Sequence, residues 1–124
     1  MVMGLIYEYG HGVEQDYAKA VEWYQKAANK GNADAQFSLG LMYEYGRGVK
    51  QDDIKAIECY EKAAANGSVH AQHVLGTAYE KGLGVAQDGS KAMEWFQKAA
   101  ANGYEEAQKK LTEIIGKLTS QDNQ

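Results

Sequence analysis

Ala35, Leu39, Met42 and Tyr43 recur at i, i+4, i+7 and i+8, the spacing that gathers apolar side chains on one face of a helix. Gly46-Arg47-Gly48-Val49 interrupts that pattern, with Gly46 placed to take the left-handed conformation at a helix C-terminus. Asp52 then reads as the N-cap of a second helix, on which Ala56, Ile57, Tyr60, Ala63 and Ala64 share a face. Asn66-Gly67 closes that helix, and Ser68 is placed to cap the next. Glu58 and Lys62 fall on its outer side, as do Glu22/Lys26 and Glu94/Lys98 on equivalent segments. Glutamate four residues ahead of lysine is the favourable order, worth ~0.2–0.5 kcal/mol per pair. No useful stretch alternates with period two. The pattern predicts an all-helical chain.

The same pair of helices occurs three times. Gly4, Gly40 and Gly76 are 36 residues apart, and the triads that begin at Gly10, Gly12 and Gly31 keep the same spacing. Aligned without a gap, 4–39, 40–75 and 76–111 are identical in 18 of 36 columns, which chance does not produce. A period of about 20–50 residues is the mark of a solenoid, whose units bury their apolar faces only by stacking. Asp16 and Asp88 repeat the cap of Asp52. Gly40 and Gly76 lie inside helical patterns, where glycine costs ~1 kcal/mol relative to alanine. Their reading is close approach of the paired helix. Met1 aligns with Phe37, so the first helix starts a turn late, as expected of a fragment or an irregular terminal repeat. Glu105 to about Leu118 restarts the first helix of a fourth copy, with Thr112 in the glycine column and a more polar surface that suits a cap.

Ala35, Leu39, Gly40, Tyr43, Gly46, Gly48, Val49, Asp52, Lys55, Ala56, Cys59, Tyr60, Lys62, Ala63, Ala64 and Gly67 together form a pattern that resembles the Sel-1-like repeat, a relative of the tetratricopeptide repeat. The resemblance covers nearly the whole chain. Cys59 departs from it, where Trp23 and Trp95 hold the usual aromatic position. It implies a right-handed α-solenoid of antiparallel helix pairs. The repeats then fall at about 1–31, 32–67 and 68–103, followed by a cap helix at 104–118 and a frayed polar tail at 119–124. It also implies a scaffold that recruits partner proteins. Cysteine-rich members of the family have been associated with penicillin binding or hydrolysis and look stapled by a cysteine pair in each repeat. Hydrolysis of that type is a remote alternative, because Cys59 is the only cysteine.

Composition narrows the function without choosing it. The 13 Lys+Arg against 17 Asp+Glu give a formal charge of -4, which argues against nucleic acid or an anionic membrane as partner. No apolar run approaches the length of a membrane span. One cysteine and no visible signal segment favour the cytoplasm, with secretion or the periplasm open if the chain is a fragment. His70 and His73, at i and i+3, are the nearest approach to a metal pair, with Asp34 and Glu106 at register positions in neighbouring repeats. No closed ligand set accompanies them, so no metal is expected. The Gly-x-Gly turns follow helices and lack G-K-[ST], so no nucleotide cofactor is expected. Cys59, in a packing column, reads as an inert buried or half-buried thiol. Glu8, Glu44 and Glu80 are present in every copy and read as capping or inter-repeat hydrogen-bonding groups. No catalytic constellation emerges.

In the tetratricopeptide fold the first helix of each pair lines a concave face. Through the Leu-Gly-x-x-Tyr register, that resemblance gives Leu5, Glu8 and Tyr9, then Asp34, Phe37, Leu41, Glu44 and Tyr45. His70, His73, Thr77, Glu80 and Lys81 follow, and the last helix adds Glu106, Lys109 and Glu113. Most of these columns vary between copies while the packing columns do not, which leaves them free to specify a partner. Phe37, Leu41 and Tyr45 form an i, i+4, i+8 stripe beside the core face, read as a groove floor or as packing against the next repeat. The groove is the favoured reading: a protein or peptide bound by a monomer. The rival is a spacer or oligomerisation segment that self-associates through the exposed first helix.

Overall fold

In the computed structural model, which describes residues 16–122 and the side chains as far as Lys117, six helices follow one another. They are α1 (Tyr17–Asn29), α2 (Ala33–Tyr45), α3 (Asp53–Ala65), α4 (Val69–Lys81), α5 (Gly89–Ala101) and α6 (Glu105–Asp122). Each of the first five begins at a capping side chain. Asp16, Asp52 and Asp88 accept hydrogen bonds from the Lys19, Lys55 and Lys91 amides at 3.2, 3.1 and 3.1 Å. Asn32 and Ser68 accept from the Ala35 and Ala71 amides at 2.8 and 3.1 Å. Each cap satisfies one donor left over at a helix start. Gly46 and Gly82 close α2 and α4 at φ +66° and +72°, as their place in the pattern predicts. No strand occurs among the described residues. The fold is an all-α repeat solenoid.

α6 runs to Asp122, past Leu118 where the sequence reading ends it, so Thr119 to Asp122 are helical rather than a tail. Nothing between Leu118 and Asp122 breaks a helix, and extending one already formed costs little. Residues 123–124, like 1–15, lie outside the described residues.

The core is three clusters at the seams between pairs. Ala20, Tyr24 and Ala28 of α1 meet Ala35, Leu39 and Met42 of α2. Ile57, Tyr60 and Ala64 of α3 meet Ala71, Leu75 and Ala78 of α4, and Ala92, Phe96 and Ala99 of α5 meet Ala107 and Leu111 of α6. Within a pair the helices touch through the glycine column, where the buried rings of Tyr60 and Phe96 lie against Gly40 and Gly76.

Two inter-repeat devices lay beyond the sequence reading. In the two described Gly-x-Gly turns, the second glycine seats the turn on the second helix of the preceding repeat. A Cβ on Gly84 would lie 3.1 Å from Ile57 Cγ1 and 3.2 Å from the Asp53 carbonyl, and one on Gly48 would meet the Tyr17 carbonyl. Both glycines also have positive φ, +75° and +74°. The other device is a glutamine clamp. Gln36 Nε2 donates to the Ala28 carbonyl at 3.1 Å, while its Oε1 accepts from Asn66 Nδ2 at 2.9 Å. Gln72 repeats this with Ala64 and Asn102 at 3.2 and 3.0 Å. One buried side chain thus ties the ends of two successive second helices to the first helix between them. Gln72→Ala leaves the Ala64 carbonyl and the Asn102 amide without that partner and is expected to cost about 1–3 kcal/mol, read from the urea midpoint. An unmoved midpoint removes the clamp as a stabilising device.

The outer Glu–Lys pairs do not form. Among the described residues no ion pair joins Glu22 to Lys26, Glu58 to Lys62 or Glu94 to Lys98. Lys26 and Lys98 lie instead over the Trp23 and Trp95 rings, at 5.1 and 4.6 Å from the centroids. A lysine over an indole gains ~0.5–1 kcal/mol at an exposed site, at least as much as the exposed ion pair it replaces.

Candidate functional site

A groove of about 640 Å³ opens between α2 and α4, with α3 beneath it. Leu41, Glu44 and Tyr45 come from α2, Asp53, Ile57 and Tyr60 from α3, and His73, Val74 and Thr77 from α4. The turn Gly82-Leu83-Gly84 closes one end. Five residues of the sequence-read face therefore come together here: Leu41, Glu44, Tyr45, His73 and Thr77. Asp34, His70, Lys81, Glu106 and Lys109 are exposed and lie outside this groove. Leu5, Glu8 and Tyr9 lie outside the described residues.

The Phe37–Leu41–Tyr45 stripe is divided by the fold. Phe37 is half-buried, with its ring 5.5 Å from Tyr60 and 6.0 Å from His70, so it packs between repeats. Leu41 both packs on the α3–α4 cluster and lines the groove. Tyr45 is 60% exposed at the groove, with the Arg47 guanidinium 5.4 Å from its ring.

Of the invariant glutamates, Glu8 lies outside the described residues, while Glu44 and Glu80 do structural work with different partners. The Tyr60 hydroxyl donates to Glu44 Oε1 at 2.6 Å, and burial together with that carboxylate holds the phenol protonated far above its ordinary range. Phe96 has no hydroxyl to offer Glu80. There Lys110 Nζ, from α6, stands 3.1 Å from Glu80 Oε1, an ion pair by distance without hydrogen-bond geometry.

His73 sits in an aromatic slot. Its ring stacks on Tyr104 at 4.9 Å and 23°, and lies 5.3 Å from Phe96, while His70 meets Tyr104 edge-on at 5.2 Å. Tyr104 occupies the column where Asn32 and Ser68 cap their helices, and it serves as a ring instead. His73 Nδ1 is buried without a hydrogen-bond partner. Burial pulls this imidazole below its ordinary 6.5, opposed by Glu106 and Glu80 and assisted by Lys110 and His70. As pH falls through 6.5, the unfolded chain takes up a proton that the folded chain refuses. Stability therefore declines with falling pH until folded His73 itself protonates. Thermal melts between about pH 7 and pH 5 are expected to show a falling midpoint, and His73→Phe to flatten that fall. Equal slopes for both proteins contradict this role.

No three His, Cys, Asp or Glu side chains among the described residues are placed to hold a metal ion. Cys59 lines a shallow depression of about 220 Å³ between α1 and α3, with Glu58, Lys62 and Gln25. Burial there pushes its thiol above the ordinary value, the opposite of an activated nucleophile.

Sequence reasoning missed most of the groove lining. Asp53, Ile57, Tyr60, Val74 and Leu83 line it, but the face was read from particular columns of first helices alone. Leu83 carried a usable signal: a leucine in a Gly-x-Gly turn, where Arg47 and His11 stand in the other copies, and it is 56% exposed.

The Sel1 repeat profile matches residues 2–32, 33–68 and 69–104. No curated protein matches the chain. Among solved structures it is similar to a protective antigen of uropathogenic Escherichia coli strains that displays an SLR fold, at 48% identity over 82% of this chain and TM-score 0.79. It is also similar to a Sel1 repeat protein from Oxalobacter formigenes, at 35% identity over 89% of this chain and TM-score 0.85. The chain spans only 22% and 44% of those two proteins. Cysteine-rich protein B of Helicobacter pylori is 31% identical over 72% of this chain and 67% of its own, with TM-score 0.70. Three consecutive repeat matches cover most of the chain, the second and third of them falling on the pairs α2–α3 and α4–α5, and the chain belongs to the Sel1 repeat family.

Proposed function

We propose that this chain is a non-catalytic scaffold that binds a partner protein or peptide on the face built by α2, α4 and α6, with the groove between α2 and α4 as its main contact. Sel1 repeat proteins are generally protein-interaction scaffolds. The observation that carries the finer reading is the groove itself. Its lining is largely apolar, and two large side chains, Tyr45 and Leu83, stand mostly exposed at it although nothing in the packing requires them there. The one thiol is suppressed by burial and lies in a different depression from His73, which supports a non-catalytic reading. No helix of the described residues is long and apolar enough to cross a membrane. The likeness to the cysteine-rich protein supports the fold, and a chain with Cys59 alone lacks its cysteines.

The test is capture of a partner by the immobilised chain, comparing Tyr45→Ala in the groove with Glu58→Ala in the opposite depression. Loss with the first and retention with the second is the expected result. The reverse pattern places binding elsewhere, and concentration-dependent self-association in sedimentation favours an assembly segment.

A further inference from the structure

The groove between α2 and α4 presents one sign of charge. Glu44 and Asp53 line it, and no lysine or arginine of the described residues does. Glu44 uses one carboxylate oxygen on the Tyr60 hydroxyl, and Asp53 uses one on Gln51 Nε2, each at 2.6 Å. A carboxylate offers about four lone-pair sites on two oxygens, so both retain accepting capacity. Arg47, two residues past the end of α2, is engaged with rings, 5.6 Å from Tyr17 and 5.4 Å from Tyr45. The other titratable group at the groove, His73, is disfavoured from taking a proton by its aromatic slot.

These features constrain the occupant. Covering the groove with a wholly apolar segment desolvates Glu44 and Asp53 with nothing to offset the cost. An acidic segment adds repulsion to that cost. A segment with a cation beside its apolar side chains satisfies both halves of the lining, with Leu41, Ile57 and Leu83 taking the apolar part. Arginine fits best, because its planar fork pairs two donors with a carboxylate and is more weakly hydrated than an ammonium. The net charge of -4 steers the same kind of partner toward the chain.

Resting on the groove being the binding surface, we propose that its ligand is a partner segment in which arginine or lysine adjoins apolar residues, the cation meeting Asp53 and Glu44 and the apolar side chains meeting Leu41, Leu83 and Tyr45.

The probe is a random-peptide library displayed on phage and selected on the immobilised full chain, followed by affinity measurements on the enriched peptides. Enrichment of arginine or lysine beside leucine, phenylalanine or tyrosine is expected. Asp53→Lys is then expected to weaken such a peptide about tenfold, with weaker binding in high salt and a smaller loss for Asp53→Asn. Melts of both variants check that the fold persists, since Asp53 is an exposed residue in the first turn of α3. Enriched peptides that are neutral or acidic, and that need Tyr45 but not Asp53, overturn the charge assignment and leave the groove standing. Peptides that bind Tyr45→Ala and Leu83→Ala as tightly as the parent chain, or no enrichment over a blank surface, overturn both.

Discussion

Gly40→Val is expected to lower stability by about 3 kcal/mol or more, the largest effect of any single change considered for this fold. An ideal Cβ at Gly40 would sit 2.5 Å from Tyr60 Cε1 and 2.7 Å from Cδ1, far inside contact distance. The ring has nowhere to go: it is 1% exposed, held at its tip by Glu44 and flanked by Phe37. The helices of the pair must therefore move apart, opening the cluster that Tyr60 shares with α4. Alanine tests the mechanism more finely. Gly40→Ala recovers ~1 kcal/mol of helix propensity, so the clash exceeds any net loss by about that amount. Combining it with Tyr60→Leu, which withdraws the ring, is expected to recover part of that loss, giving a coupling energy of about 1 kcal/mol or more in a double-mutant cycle. Urea denaturation reads all of these. An unchanged midpoint for Gly40→Val means the helices do not meet at this residue.

That glycine also shows how far the sequence could be read. The 36-residue period made a buried glycine inside a helix visible, and close approach is the only reading that justifies its cost. The partner ring was less visible, because it lies on the other helix of the pair, 20 residues on from Gly40. Phe96 takes the same place against Gly76, at 2.5 Å from an ideal Cβ. In α6 the register position is Thr112, exposed and uncovered by any ring of the described residues, so the demand for glycine lapses with the missing contact. Caps were legible because they obey local rules. Asp52 needs only Lys55 to declare itself.

The clamp was not legible, although its columns were. Gln36, Gln72 and Gln108 are identical in register, yet nothing local says that Gln36 reaches Asn66, 30 residues away. Glu44 and Glu80 illustrate a subtler limit. Their identity in the repeat implied one role, but Phe96 in place of Tyr60 removes the hydroxyl, and Lys110 in place of Val74 brings Glu80 a cation from the next helix instead. Leu41, Glu44, Tyr45, His73 and Thr77 followed from the tetratricopeptide resemblance, carried through the Leu-Gly-x-x-Tyr register. Those on α3 and in the Leu83 turn did not, because a groove between neighbouring helices takes its floor from whichever element lies beneath.

The division of the Phe37–Leu41–Tyr45 stripe sets up the binding test. Tyr45→Ala is expected to cost ~2 kcal/mol or more of partner binding, about thirtyfold in Kd, as for an aromatic anchor that becomes covered on binding. In the free chain that ring is 60% exposed and its packing partner is Arg47, a contact worth ~0.5–1 kcal/mol at an exposed site. Its loss is expected to shift the melting midpoint only slightly. Phe37→Ala makes the contrast. That ring is wedged between Tyr60 and His70 at the α3–α4 seam, so its truncation is expected to lower stability by ~1–3 kcal/mol, and any binding loss then includes damage to the fold. Glu58→Ala is expected to change neither quantity, since the side chain is exposed in the depression between α1 and α3. Titration calorimetry with the captured partner, alongside melts of each variant, separates these effects. Wild-type affinity in Tyr45→Ala removes the groove from the binding surface, and a melting midpoint that falls as far as that of Phe37→Ala shows Tyr45 to be part of the fold instead.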